Sequence, residues 1–273
     1  MKKIKMAMAA AVCVALGSCV PLTSTANAND DDFRLLELSG ARVKWGEPEL
    51  GRGARVTYAF VTEPLRFAGA RNCGSVVPLD RLQRRTGISA ATFEAETAAA
   101  FRKWEEAADI YFTRLDDPAE ANILIGAQGR PRHRAYADVS YRSVGENGVR
   151  VLDQARICLN PRMPWKVGFD GDTDVYDLRY TLTHEIGHAI GLDHPGPSGQ
   201  MMSFRYDEAF RELQPGDLMG IAALYGQRPD ARRLSDGALA QATSLRTAPS
   251  ADEGSGVREG LELTQRTRLP RTR

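Results

Sequence analysis

His184-Glu185-Ile186-Gly187-His188-Ala189-Ile190-Gly191-Leu192-Asp193-His194 is the stretch that decides how this chain is read. His184 and His188 stand four positions apart. On a helix that spacing places both imidazoles on one face, one turn apart, as two ligands of one ion require. Gly191 falls just past that turn, where a glycine can take the left-handed conformation that ends a helix. The chain then turns back, and His194 can supply a third ligand from outside the helix. Three neutral imidazoles leave one position on a Zn2+ ion open for water, which is the catalytic arrangement; a structural site would close with a fourth protein ligand. Glu185 cannot reach the metal from its place beside His184. It is placed to take a proton from the water and to pass it to a leaving group.

The chain has 273 residues and only 4 histidines, so this stretch holds all but one of them. His133 stands among Arg130, Arg132 and Arg134 in a predicted loop and reads first as a solvated surface residue, second as part of a substrate cleft. Upstream, Asp174 or Asp177 can cap the helix. Asp170, Asp172 and Asp174 alternate in the preceding loop. They read first as solvated, helix-capping aspartates and second as a Ca2+ site; Thr181 stands where an EF-hand would carry its glutamate.

The pattern H-E-x-x-H-x-x-G-x-x-H resembles the signature of the metzincin zinc peptidases. The resemblance implies one catalytic Zn2+ held by His184, His188 and His194, with Glu185 as the general base. It also implies a methionine-containing turn beneath the metal. Gln200-Met201-Met202-Ser203-Phe204-Arg205-Tyr206 follows at a short distance, and Met202 fits the turn because Tyr206 then falls where the matrixin branch carries a tyrosine. Phe204, Arg205 and Tyr206 are the implied border of the pocket for the residue after the scissile bond. Trp45 with Val56-Thr57-Tyr58, Phe101 and Trp104, residues 121–125, and residues 214–226 extend the matrixin resemblance over about 45–226. The implied fold is α+β: a twisted, mostly parallel five-stranded sheet with two long helices, an active-site helix, the Met-turn and a C-terminal helix. An edge strand at 136–141 would pair with an extended substrate.

Three features depart from the matrixin pattern. Pro195-Gly196 after the third histidine and Ser203-Phe204 after Met202 resemble the serralysins, but phenylalanine cannot serve as their extra tyrosine ligand. The further histidines of a structural zinc site are missing. The inhibitory Pro-Arg-Cys-Gly segment is missing too; Arg71-Asn72-Cys73-Gly74 is a faint echo that comes after the first strand.

The ends frame this domain. Lys2, Lys3 and Lys5, the apolar run 6–20 and Ala26-Asn27-Ala28 predict a signal peptide over 1–28. A second reading takes Leu16-Gly17-Ser18-Cys19 as a lipoprotein box, which would lipidate Cys19 and anchor the chain in the cell envelope. Either way the protein is exported: secreted or periplasmic, with membrane contact only through Cys19. In an oxidising compartment, Cys73 and Cys158 then pair most simply as one disulfide; a zinc-blocking Cys73 thiol is the alternative. Residues 29–44 read as an N-terminal extension, 45–227 as the catalytic domain, and 228–273 as a disordered tail in which 236–245 could form a short helix. Within the domain, strands are predicted at 55–61, 111–115, 122–127 and 135–142, with one or two more over 150–159. A helix follows Ser89 with Phe93, Thr97, Ala100, Phe101, Trp104 and Ala108 on its buried face. Residues 65–87 read as a long surface loop.

A net charge of +1 and no basic stripe argue against a nucleic-acid partner. The function that the motif and the resemblance imply is that of a monomeric zinc endopeptidase acting on proteins or peptides. The alternative is a catalytically inactive zinc-containing envelope or extracellular binding module, against which an intact Glu185 speaks.

Overall fold

A computed structural model of the chain describes residues 33–144 and 148–230. The signal peptide at 1–28, Cys19 and the tail from 231 onward lie outside the described residues.

In chain order the strands are β1 (Arg34–Leu35), β2 (Glu37–Leu38), β3 (Ala41–Lys44), β4 (Ala54–Phe60), β5 (Leu65–Arg66) and β6 (Ser75–Val77). Helices α1 (Asp80–Thr86) and α2 (Ala90–Ala107) follow, then β7 (Ile110–Arg114), β8 (Ile123–Gln128), β9 (Ala135–Val144), β10 (Val149–Leu159), β11 (Trp165–Lys166) and β12 (Tyr176–Asp177). The last elements are α3 (Leu178–Ala189), β13 (Leu192–Asp193) and α4 (Pro215–Tyr225). The main sheet has nine strands rather than the expected five, because short β2, β3, β5 and β6 join it; its five longest run β7-β4-β8-β10-β9, the first four parallel and β9 antiparallel on the edge.

Alternation along the strands sorts side chains to the two faces. Val56, Tyr58, Ile123, Ile125, Ile157 and Leu159 join the large core beneath the helices, while Ala59, Val61, Leu124 and Cys158 point to a smaller cluster on the other face. Every residue of β8 is buried, as a continuous apolar run in a central parallel strand should be. Ser89 caps α2, its side chain accepting the Thr92 amide. The face predicted for this helix is buried throughout, and Phe101 stacks on Tyr58 with ring centroids 4.1 Å apart. Arg179 of α3 grips Glu96 of α2 through two hydrogen bonds of 2.6 and 2.9 Å, tying the helices together.

Two stretches differ from the sequence reading, and at 149–159 the structure decides between one strand and two. Residues 65–87 are not one loop: β5 and β6 form a hairpin whose second strand pairs with β8, and α1 follows. Strands of two or three residues are too short to show a period, and α1 has no side-chain cap to announce it. Residues 149–159 form one continuous strand, bulged against β9. The extension ahead of Trp45 is woven into the fold from residue 34 on. β1 pairs antiparallel with β13, and β3 pairs parallel with β10. Cys73 and Cys158 are joined by a disulfide that ties the β5–β6 hairpin to β10. Among the described residues, no helix is long and apolar enough to cross a membrane.

Candidate metal centre

Asp177 caps α3, its side chain accepting the Tyr180 amide at 2.7 Å. It serves a second amide as well, that of Gly168. Of the two predicted caps the structure thus uses Asp177, while Asp174 lies in the loop before β12. The helix carries His184, Glu185 and His188 and ends at Ile190. Gly191 then adopts φ +107°, and its Cα lies so close to β3 that a Cβ would stand 2.3 Å from the Val43 carbonyl oxygen. Only glycine fits, and the turn brings β13 and His194 back over the helix.

The three imidazoles converge. The Nε2 atom of His194 lies 3.0 Å from the Nε2 atoms of both His184 and His188. The other ring nitrogens are engaged: Nδ1–H of His184 donates to the Met201 carbonyl at 2.8 Å, and Nδ1–H of His188 to the Leu192 carbonyl at 2.9 Å. A carbonyl can only accept, so both Nε2 atoms carry bare lone pairs. Burial lowers the pKa of all three rings, that of His188 to about 4, which keeps them neutral and able to ligate. Bare nitrogens facing one another repel unless a cation sits between them. Tetrahedral zinc with Zn–N near 2.0 Å would space its nitrogens at about 3.3 Å, close to what is found. The donor set therefore fits one divalent transition-metal ion.

Glu185 is buried beside His184 and faces the same cleft. Burial pushes its carboxyl up to about 7; Arg134 opposes the shift and Asp138 adds to it. The cleft has a volume of 930 Å³. The three histidines, Glu185, Phe204 and the start of β9 (Ala135, Tyr136 and Ala137) are among its walls. His133 lies on the rim, exposed, in a left-handed backbone with φ +46°.

Met202 is buried under the helix, where a Cβ on Gly187 would come 2.2 Å from its sulfur. The turn that holds it is fastened by Asp217 of α4, whose carboxylate accepts the amides of Met201 at 2.8 Å and Met202 at 3.0 Å. Phe204 is 54% exposed, and its ring stands edge-on to His194 with centroids 6.0 Å apart. Arg205 and Tyr206 do not line the cleft. The Tyr206 hydroxyl accepts the Asp177 amide at 2.9 Å and donates to Glu208 at 2.6 Å. Its ring packs on Tyr176, which does line the cleft, and the Arg134 guanidinium lies over both rings. The Asp170 carboxylate pairs with the Lys166 ammonium, while Asp170 and Asp172 each accept an amide two residues on.

Sequence reasoning named several residues without seeing that they position the site. Asp217 and Arg134 are two. Others are Trp45 and Tyr225, which satisfy the last carbonyls of α3: the Trp45 indole donates to Ala189 at 2.9 Å and the Tyr225 hydroxyl to Ile190 at 2.7 Å. Their distance from the motif in sequence hid them, although an acid at the third position of a predicted helix start was a signal for Asp217.

The family model described as Matrixin matches residues 80–226. The chain is 31% identical to Metalloendoproteinase 1-MMP of Arabidopsis thaliana over 144 residues, which is 49% of this chain and 38% of that protein. It is 32% identical to Matrix metalloproteinase-19 of Homo sapiens over 168 residues, 58% of this chain and 30% of that protein. Interstitial collagenase B of Mus musculus is 28% identical over 165 residues, 56% of this chain and 33% of that protein. The chain spans less than half the length of these relatives.

Proposed function

The chain belongs to the matrixin family, whose pattern covers more than half of it, and from that premise we propose that it is a zinc-dependent endopeptidase of proteins or peptides. His184, His188 and His194 hold the metal, and Glu185 carries the proton. The observation that supports this most is the approach of the His194 Nε2 atom to 3.0 Å from the Nε2 atoms of both His184 and His188, whose opposite nitrogens are already engaged.

When bound, zinc supplies a Lewis acid that polarises the scissile carbonyl and acidifies the attacking water. The rest falls to the chain's own residues. Glu185, with a carboxyl near neutrality, accepts the proton of the attacking water and delivers it to the departing amine. The outer edge of β9 pairs with the substrate as an added strand, because Ala135, Tyr136 and Ala137 border the cleft. Phe204 borders the pocket for the residue after the scissile bond. Met202 supports the floor, and the Met201 carbonyl orients the His184 ring.

Export rests on the N-terminal sequence, cleaved after Ala28 or lipidated at Cys19, and is supported by a disulfide that persists in oxidising compartments. The protein acts as a monomer in this reading. Calcium at Asp170, Asp172 and Asp174 has less support, since Lys166 already supplies a cation there. An inactive binding module would have no use for a buried acid facing the cleft.

The test is cleavage of an unfolded protein by wild type and Glu185→Gln. The variant keeps its zinc and loses about 10²–10⁴-fold in rate. Equal cleavage by both proteins, or full wild-type activity after chelation, overturns the reading.

A further inference from the structure

Beside the catalytic cleft lies a second depression of 370 Å³, walled by Arg66, Arg71, Arg130 and Arg132. The two hollows adjoin: Arg71, Asn72, Arg132, His133 and Tyr136 line both. We propose that these four arginines form a subsite for acidic side chains of the peptide, so that the substrates are acidic segments. This deepens the peptidase reading and rests on it.

The charge is uncommitted. Arg34, Arg42, Arg52, Arg114, Arg142 and Arg179 each hold a carboxylate. Among the described residues, the guanidinium groups of Arg66, Arg71, Arg130 and Arg132 hold none. Asp138, which holds the loop that follows Arg71, does not pair with them: it accepts the Asn72 amide at 2.8 Å, the Asn72 side chain at 3.0 Å and the Cys73 amide at 2.8 Å. With a net charge of only +1 on the whole chain, four unpaired cations around one hollow are a local concentration rather than a general basicity.

The backbone that presents them is fixed. One loop is held by the Cys73–Cys158 disulfide and by Asp138. In the other, the Arg132 amide donates to the Gln128 side chain at 2.6 Å and the Asn160 side chain donates to the His133 carbonyl at 2.5 Å. The Gly129 amide donates to the Ser75 carbonyl at 2.8 Å and stitches the two loops together. Guanidinium forks carried on a held backbone suit carboxylates, which they grip through two parallel hydrogen bonds. Tyr136 at the start of β9 and His133 border both hollows, so a peptide lying along β9 reaches the arginine depression.

The test walks a single aspartate, against asparagine at the same place, along a fluorescent peptide. Binding is read by anisotropy on the zinc-loaded Glu185→Gln protein, and cleavage is read on wild type. At one or more positions the aspartate peptide is expected to bind and be cleaved about five-fold better, a ratio typical of the stronger exposed ion pairs. The ratio falls toward one in high salt and in Arg66→Gln/Arg130→Gln, whose replaced side chains are exposed. A ratio of one at every position, or a preference untouched by salt and by the double variant, overturns the inference. So does binding of phosphatidylserine vesicles that the double variant abolishes, if no aspartate preference accompanies it. A binding preference without cleavage upholds the subsite and overturns the peptidase reading instead.

Discussion

Asp217 and Met202 are joined across fifteen residues of chain by a hydrogen bond of 3.0 Å from the Met202 amide to the buried carboxylate. The same carboxylate takes the Met201 amide, and the Met201 carbonyl orients His184. A helix start is thus two bonds away from a metal ligand. Asp217→Asn sets an amide group against backbone donors. It is expected to cost about 2–3 kcal/mol of stability and to weaken zinc binding about tenfold. Urea unfolding and a competitive chelator titration read the two effects. Unchanged zinc affinity would show that the turn does not depend on this carboxylate.

Gly187→Ala tests the contact from the helix side. Alanine is the better helix former by about 1 kcal/mol, yet its methyl would fall 2.2 Å from the Met202 sulfur and 3.0 Å from the Trp104 ring. Overpacking should win, with a net loss of about 1–3 kcal/mol. Met202→Ala in the same chain should recover part of it. A stabilised Gly187→Ala by thermal melting would contradict the close approach.

The disulfide spans 85 residues. Replacing both cysteines with alanine is expected to remove about 2–4 kcal/mol. The double variant should be indifferent to reductant, while wild type should melt lower in it. Equal melting temperatures in all four conditions would leave the bridge without a stabilising role.

Lys44 is buried, with its ammonium donating to the carbonyls of Trp45 and Glu47 and lying over the Tyr225 ring. Burial lowers its pKa from 10.5 to about 8, against the pull of Glu47 and Glu49. The unfolded chain keeps its proton up to about pH 10.5 and the folded chain sheds it near 8, so folding gains as pH rises through that window and loses as it falls back. The stability of wild type minus that of Lys44→Met should therefore climb between about pH 8 and 10 in urea titrations. A flat difference would mean that the group keeps its charge when buried.

The sequence made the metal site legible because its residues are local: His184, Glu185, His188 and His194 lie on one turn-and-return, and spacing alone sets their geometry. α2, long and with a clear period, and β8, a continuous apolar run, were legible for the same reason. What escaped depends on long-range pairing. Asp217 is written as an ordinary helix-capping acid, and nothing in 214–217 says which amides it will meet. β1, β2, β5 and β6 are too short to alternate. Arg134 reads as one arginine among several until folding lays it over Tyr176 and Tyr206.

The pairing of β1 with β13 separates two boundaries that a reader of the motif would merge. A chain trimmed to start at Trp45 would keep every residue of the metal signature and still lose the backbone splint that Arg34 and Leu35 lay along Leu192 and Asp193. It would also lose the Val43 wall against which Gly191 turns. The unit that recognises the ion in the alphabet of the sequence is shorter than the unit that can hold it in space, and truncation between the two would leave a complete vocabulary without its grammar.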